Sequence, residues 1–178
     1  DSRDHFYLGR EYMYHNNWEK CLLTLQTYLA LPTSTWNEER SAALRYIAKS
    51  YLNQDKKKEA ILSLELAAKE APHLREPLIE LATIYYFDKA WKQVATLIDQ
   101  ALLITTPSQT FINEGNAWDS TPYDMGSIAH YELGHPDLAL VYAMKALELS
   151  PNNERIQANI AFYQQHIISL YATNTPSS

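Results

Sequence analysis

Along most of the chain the apolar residues fall three and four positions apart, the spacing of one helix face. Nowhere do four or more residues alternate cleanly as a half-buried strand would. The pattern also recurs at long range. Ala48, Tyr51, Leu64 and Ala67 return 34 residues later as Ala82, Tyr85, Ile98 and Ala101, with Leu44 and Leu78 ahead of each set. Self-similarity at such a period marks a solenoid, whose units bury their apolar faces only against their neighbours. Each unit reads as two antiparallel helices, and four are predicted, over about residues 3–32, 39–73, 74–107 and 120–151.

Two spacings exceed the period. Tyr12 to Tyr51 is 39 residues, which places five extra residues in Pro32-Thr33-Ser34-Thr35-Trp36. Ala101 to Ala146 is 45, which places eleven extra around Ser108 to Asp119. Insertions into a solenoid are loops, and long loops cost little entropy, so tolerated surface loops are the plain expectation. The sharper one is that Trp36, Phe111 and Trp118 fold back on the helices or meet a partner, since aromatic-rich loops commonly carry function. After Pro151, Asn152-Asn153-Glu154 supplies a cap and an early acid, and Ile156, Ile160, Tyr163 and Ile167 follow at helical spacing. This predicts a capping helix over 152–171 that completes a single domain, 1–171, with a flexible tail at 172–178. Asp1-Ser2-Arg3-Asp4 runs straight into Phe6-Tyr7-Leu8 with no starting Met, so the chain is expected to be cut from something longer.

The clearest unit holds Ala48, Tyr51, Ala60, Ala67 and Pro72 at its eighth, eleventh, twentieth, twenty-seventh and thirty-second places or close to them. That set resembles the tetratricopeptide repeat (TPR). Small residues let the two helices of a repeat cross closely, and the late proline ends the second helix. The first unit keeps Gly9, Tyr12, Cys21, Leu25, Tyr28 and Pro32, and the last keeps Gly134, Ala139, Ala143, Ala146 and Pro151. The resemblance implies an all-α fold: a right-handed superhelix of about four helix-turn-helix repeats plus the C-terminal capping helix.

The resemblance further implies that the first helix of each repeat lines a concave groove. The residues it would present are Arg3, Phe6, Arg10, Met13 and Tyr14, then Ala42, Arg45, Lys49, Leu52 and Asn53. The third unit would present Glu76, Ile79, Thr83, Tyr86 and Phe87, and the fourth Thr121, Asp124, Ile128, Tyr131 and Glu132. Such a groove is basic in its first half and acidic in its second, with aromatics between, and suits an extended peptide, a protein or a glycan. The plainer alternative for Phe6, Tyr86 and Phe87 is that they close the core between adjacent helices. The carboxylate clamp of chaperone-binding TPR proteins needs Lys, Asn and Arg where this chain has Phe6, Tyr46, Glu76 and Glu80, which disfavours that partner class. Phe111 and Trp118 on the insertion are the alternative binding residues.

Composition narrows the chemistry. With 178 residues, 46% of them apolar and a mean hydropathy of -0.37, the chain can bury a substantial core. A net charge of -6 disfavours non-specific binding to nucleic acid or anionic membrane. No apolar run approaches a membrane span, and a cytoplasmic chain is expected. Four glycines leave no phosphate-binding loop. The single cysteine, Cys21, takes a small-residue place and reads as core. The six histidines have no HExxH or one-turn pairing, so surface or loop positions are expected and neither metal nor other cofactor is called for. Glu76 and Glu80 lie one turn apart; a solvated acidic patch is the plainer reading, and acid-base chemistry the alternative.

The opening Asp-Ser-Arg-Asp-His-Phe-Tyr-Leu-Gly-Arg-Glu-Tyr, the later Thr-Pro-Tyr-Asp and Tyr-Glu-Leu-Gly-His, and Ala-Leu-Glu-Leu-Ser-Pro-Asn-Asn-Glu-Arg carry a finer resemblance. They look like the TPR region following a family 2 type glycosyltransferase domain in some bacterial and phage proteins. The expectation is a non-catalytic binding or scaffolding module, the tail of such a protein. The alternatives are a stand-alone enzyme built on the groove carboxylates and a structural array for homodimerisation.

Overall fold

A computed structural model describes residues 1–173. Among them are nine α-helices and one 3-10 turn, Gly115–Ala117, and no strand, so the all-α expectation holds. The helices are α1 (Ser2–Tyr14), α2 (Trp18–Ala30), α3 (Asn37–Leu52), α4 (Lys57–Glu70), α5 (Glu76–Phe87), α6 (Trp91–Leu102), α7 (Thr121–Glu132), α8 (Pro136–Leu149) and α9 (Glu154–Thr173). Residues 174–178 of the expected tail lie outside the described residues. No described helix is long and apolar enough to cross a membrane.

Local chemistry sets the helix ends. Asp1 accepts from the Arg3 amide at 3.3 Å, Asn17 from Lys20 at 3.3 Å and Asn153 from Ile156 at 3.2 Å, each satisfying an orphan donor of a first turn. The turn inside each helix pair is built alike four times. Asn16, Asp55, Lys89 and Gly134 all have positive φ, at 55, 58, 54 and 82°. The next amide reaches back five residues: Asn17 to Tyr12, Lys56 to Tyr51, Ala90 to Tyr85 and His135 to His130, all at 2.8–2.9 Å. This is the Schellman cap, in which a left-handed residue lets the chain close the last helical carbonyls. The four left-handed residues are 39, 34 and 45 positions apart, the same rhythm as the sequence repeats.

The chain divides into two compact units, with the boundary inside α5. The first comprises Asp1–Leu81 and Thr106–Asn113, the second Ala82–Thr105 and the described residues from Glu114 onward. In the first unit Phe6, Cys21, Leu25, Tyr28, Ala42 and Ala43 are fully buried, with Tyr46, Ile47 and Ile112 beside them. The Phe6 ring lies 5.5 Å from Tyr28 and stacks 6.1 Å from Tyr46. A methyl group on Gly9 would run into Leu25, so α1 and α2 touch where only hydrogen fits. Burial pushes the Cys21 thiol up, as suits an inert core group. In the second unit Ala139, Ala143 and Tyr163 form a core with Tyr131, Leu140 and Ile160, joining α7, α8 and α9. Gly126 on α7 faces Ile98 and Tyr142 at the crossing of α6, α7 and α8.

Two outcomes follow. Ala67 and Ala101 are fully buried, so Ala67→Leu and Ala101→Leu should each destabilise by about 1–3 kcal/mol, read as a lowered thermal midpoint. Lys89 holds a left-handed backbone that glycine adopts without strain, so Lys89→Gly should stabilise by about 0.5–1 kcal/mol. Lys89→Ala, which keeps the Cβ, should show no such gain in the same melt.

Candidate functional site

The α1–α3 face of the first unit is occupied by the chain's own insertion. Residues 108–113 carry no helix or strand, yet Ile112 is 4% exposed and joins the core of Phe6 and Tyr46. Phe111 stacks on Tyr7 at 6.2 Å and meets Trp36 edge-on at 6.1 Å. The Arg10 guanidinium lies 5.7 Å from the Phe111 ring, 5.0 Å from Tyr7 and 5.9 Å from Tyr14, a cation held among π faces. The expected fold-back of Trp36 and Phe111 is therefore what the first unit contains. Trp118, in the second unit, is half-buried.

Two polar anchors fix the segment. Arg45 Nη1 donates to the Ile112 carbonyl at 3.3 Å, while its Nε and Nη2 meet Glu80 Oε1 at 2.7 and 2.5 Å. Glu38, at the start of α3, accepts from Ser108 Oγ at 2.7 Å and Thr110 Oγ1 at 3.0 Å, and its other oxygen lies 2.7 Å from His73 Nε2. Burial pulls the Glu38 carboxyl upward, but the hydrogen bonds from His73, Ser108 and Thr110 outweigh it and hold it below its ordinary value. Asn113 closes the turn by donating to the Ser108 and Thr110 carbonyls.

The residues proposed from sequence to line a groove are thus placed unequally. Arg3, Tyr14, Lys49 and Asn53 are exposed and Arg10 is half-buried. Six of these expectations are corrected by burial, because Met13, Ala42 and Ile79 are packed into the interior as well as Phe6, Arg45 and Glu76. Phe6 is fully buried core; Arg45, 2% exposed, is committed to Glu80 and Ile112; and Glu76, 1% exposed, is no part of a solvated acidic patch. Glu80 is likewise paired with Arg45 rather than free for acid-base work. Sequence reasoning passed over Glu38 and Ile112, and the available signal was an acid in a first helical turn and an aliphatic residue inside a polar loop.

The second unit leaves more of the corresponding face open. Phe87 is 80% exposed beside Tyr86, at 6.1 Å, and Thr83 and Tyr86 are half-buried. Asp124 receives both terminal nitrogens of Arg155, at 3.1 and 2.5 Å. Tyr131 stacks on Tyr163 at 4.7 Å, and its hydroxyl is 2.9 Å from His166 Nδ1. A further correction concerns His130, expected at the surface. It is 5% exposed, stacks on Tyr142 at 5.0 Å, and reaches Asp99 at 3.0 Å, where the Tyr142 hydroxyl also donates at 2.6 Å. His130 accepts the Schellman bond that Tyr12, Tyr51 and Tyr85 accept in the earlier repeats, so it fills the repeat's tyrosine place. Aligning Gly134 with Asn16, Asp55 and Lys89 exposes this in the sequence. No group of three or more potential metal ligands occurs among the described residues.

No protein-family model and no curated protein sequence matches the chain. Solved structures do. MamA MSR-1 C2 superposes with a TM-score of 0.65 at 15% identity, covering 94% of this chain and 87% of its own. Another MamA crystal structure gives 0.70 at 13% identity, covering 92% and 81%. The C-terminal part of a TPR repeat-containing protein from Cytophaga hutchinsonii gives 0.70 at 15% identity, covering 92% of this chain and 58% of that one. The fold is that of TPR-repeat proteins.

Glu38 sets a pH dependence. Because its folded-state value is lowered, its contribution is present above the ordinary glutamate value, about 4.3, and is lost as pH falls through the lower folded value. The Ser108 and Thr110 amide resonances should titrate below about 4.3. Glu38→Gln should abolish that titration and weaken segment docking at neutral pH by about 1.5–3 kcal/mol.

Proposed function

We propose that the chain is a non-catalytic binding module for a protein or peptide, and that its partners meet the first-helix faces of its repeats. The observation that supports this is the state of the first unit, whose α1–α3 face already grips a length of irregular polypeptide. It does so with groups suited to a polypeptide: a guanidinium on a backbone carbonyl, a carboxylate on hydroxyl side chains, and aromatic walls around a ring. A polypeptide is favoured over a glycan because the Arg45 contact is to a peptide carbonyl. For the parent protein we keep, on the sequence strings alone, a glycosyltransferase-like enzyme whose tail this module forms.

The exposed aromatics of these faces supply the test. Tyr14 is 62% exposed and Phe87 80%, so Tyr14→Ala and Phe87→Ala should leave the melting point nearly unchanged. A partner captured from the source-cell lysate and identified should be recovered less by at least one variant, since losing an aromatic anchor costs about 2 kcal/mol or more at an interface. Equal recovery with both variants, or no specific partner at all, would sink the reading.

A further inference from the structure

Building on the binding-module reading, we propose that the α1–α3 face is a peptide site held shut by the chain's own Ser108–Ile112. Its partner is a protein segment that bends as 108–112 does, with two hydroxyl residues two positions apart, followed by an aromatic and then a branched aliphatic residue. The seated segment defines that chemistry position by position. Ser108 and Thr110 place both hydroxyls on one oxygen of Glu38, so a partner lacking them leaves a mostly buried carboxylate short of donors. Phe111 fits between Tyr7 and Trp36 under Arg10, and Ile112 fills the gap beside Phe6 and Tyr46 while its carbonyl takes the Arg45 donor.

The same segment has the features of a replaceable occupant. It comes from a position 67 to 72 residues away in sequence from its two polar anchors, Arg45 and Glu38. It lies in the insertion rather than in any repeat, forms no helix or strand, and keeps Phe111 53% exposed even when seated. Low local stability is what such a segment needs in order to open while the helices stay folded. The sequence Ser108-Gln109-Thr110-Phe111-Ile112 is then an internal copy of the ligand.

A blocked peptide spanning Thr106 to Asn113 tests this against the whole chain. At millimolar peptide, the range needed to compete with a tethered segment, the amide resonances of the chain's own residues 108–113 should shift toward their unstructured positions while α1 and α3 stay protected from exchange. The same peptide with alanine in place of its phenylalanine and isoleucine should do nothing. In the chain carrying Phe111→Ala and Ile112→Ala, the labelled peptide should bind about tenfold or more tighter than in the unmodified chain. Adding Glu38→Gln should weaken that binding by about tenfold or more. If the double variant does not fold, the resonance measurement on the unmodified chain decides alone. Unchanged resonances of residues 108–113 at saturating peptide overturn the proposal, as does equal binding to both forms. A dimer of the unmodified chain with exchanged segments overturns it in favour of a second copy as occupant. If the peptide fails while Tyr14→Ala or Phe87→Ala still loses a captured partner, the binding-module reading stands and only the self-held site falls.

Discussion

The first unit is organised around a charge that cannot be left alone. Arg45 sits in the middle of α3 with 2% of its surface exposed, and a guanidinium does not escape burial by losing its proton. Desolvating such an ion costs several kcal/mol unless close partners and further hydrogen bonds offset it. Glu80 supplies the counter-charge at 2.5 Å and the Ile112 carbonyl takes a further donor, so one side chain ties α3, the first half of α5 and the insertion together. The neighbouring contacts follow from that anchor. With the Ile112 carbonyl on Arg45, its side chain enters the Phe6–Tyr46 core, and Phe111 is delivered to Tyr7 and Trp36.

The helical period, the repeat and both insertion lengths were legible in the sequence because each is a local property. Helix crossings demand small residues at fixed places, which is why Gly9, Cys21, Ala60, Ala67 and Ala139 could be read as core. The cap at Asn153 and the buried Ile156 and Tyr163 were equally visible, since a cap and a four-and-three spacing are written within one helix. Even the turn geometry was latent in the spacing, because one left-handed residue closes each helix pair and the intervals between them repeat the sequence rhythm.

What the sequence concealed was what covers a face. Arg45, Phe6 and Glu76 occupy first-helix positions that point outward by the logic of a regular repeat, so they read as groove residues. Their burial depends on neighbours brought together by tertiary structure; for Arg45 that includes a loop 67 residues away, and no local pattern announces it. His130 was concealed differently. It stands where a tyrosine is usual, and its buried place beside Tyr142 and Asp99 appears only when the fourth turn is aligned on Gly134. The polarity assigned to the groove changes accordingly, because a cation already committed to Glu80 offers little long-range field to a ligand.

A face filled by its own chain also changes what affinity means for the proposed module. A segment tethered by a short flexible connection competes at an effective concentration of order millimolar. A free peptide with the same contacts therefore binds only as well as it can outcompete that internal copy, and most chance encounters fail. A partner gains by adding contacts that the internal segment lacks, and the exposed Tyr14, which shares the Arg10 guanidinium with Phe111, is one side chain of the first unit available for them. Selectivity then arises from the difference between two polypeptides competing for one set of groups, rather than from the absolute strength of either.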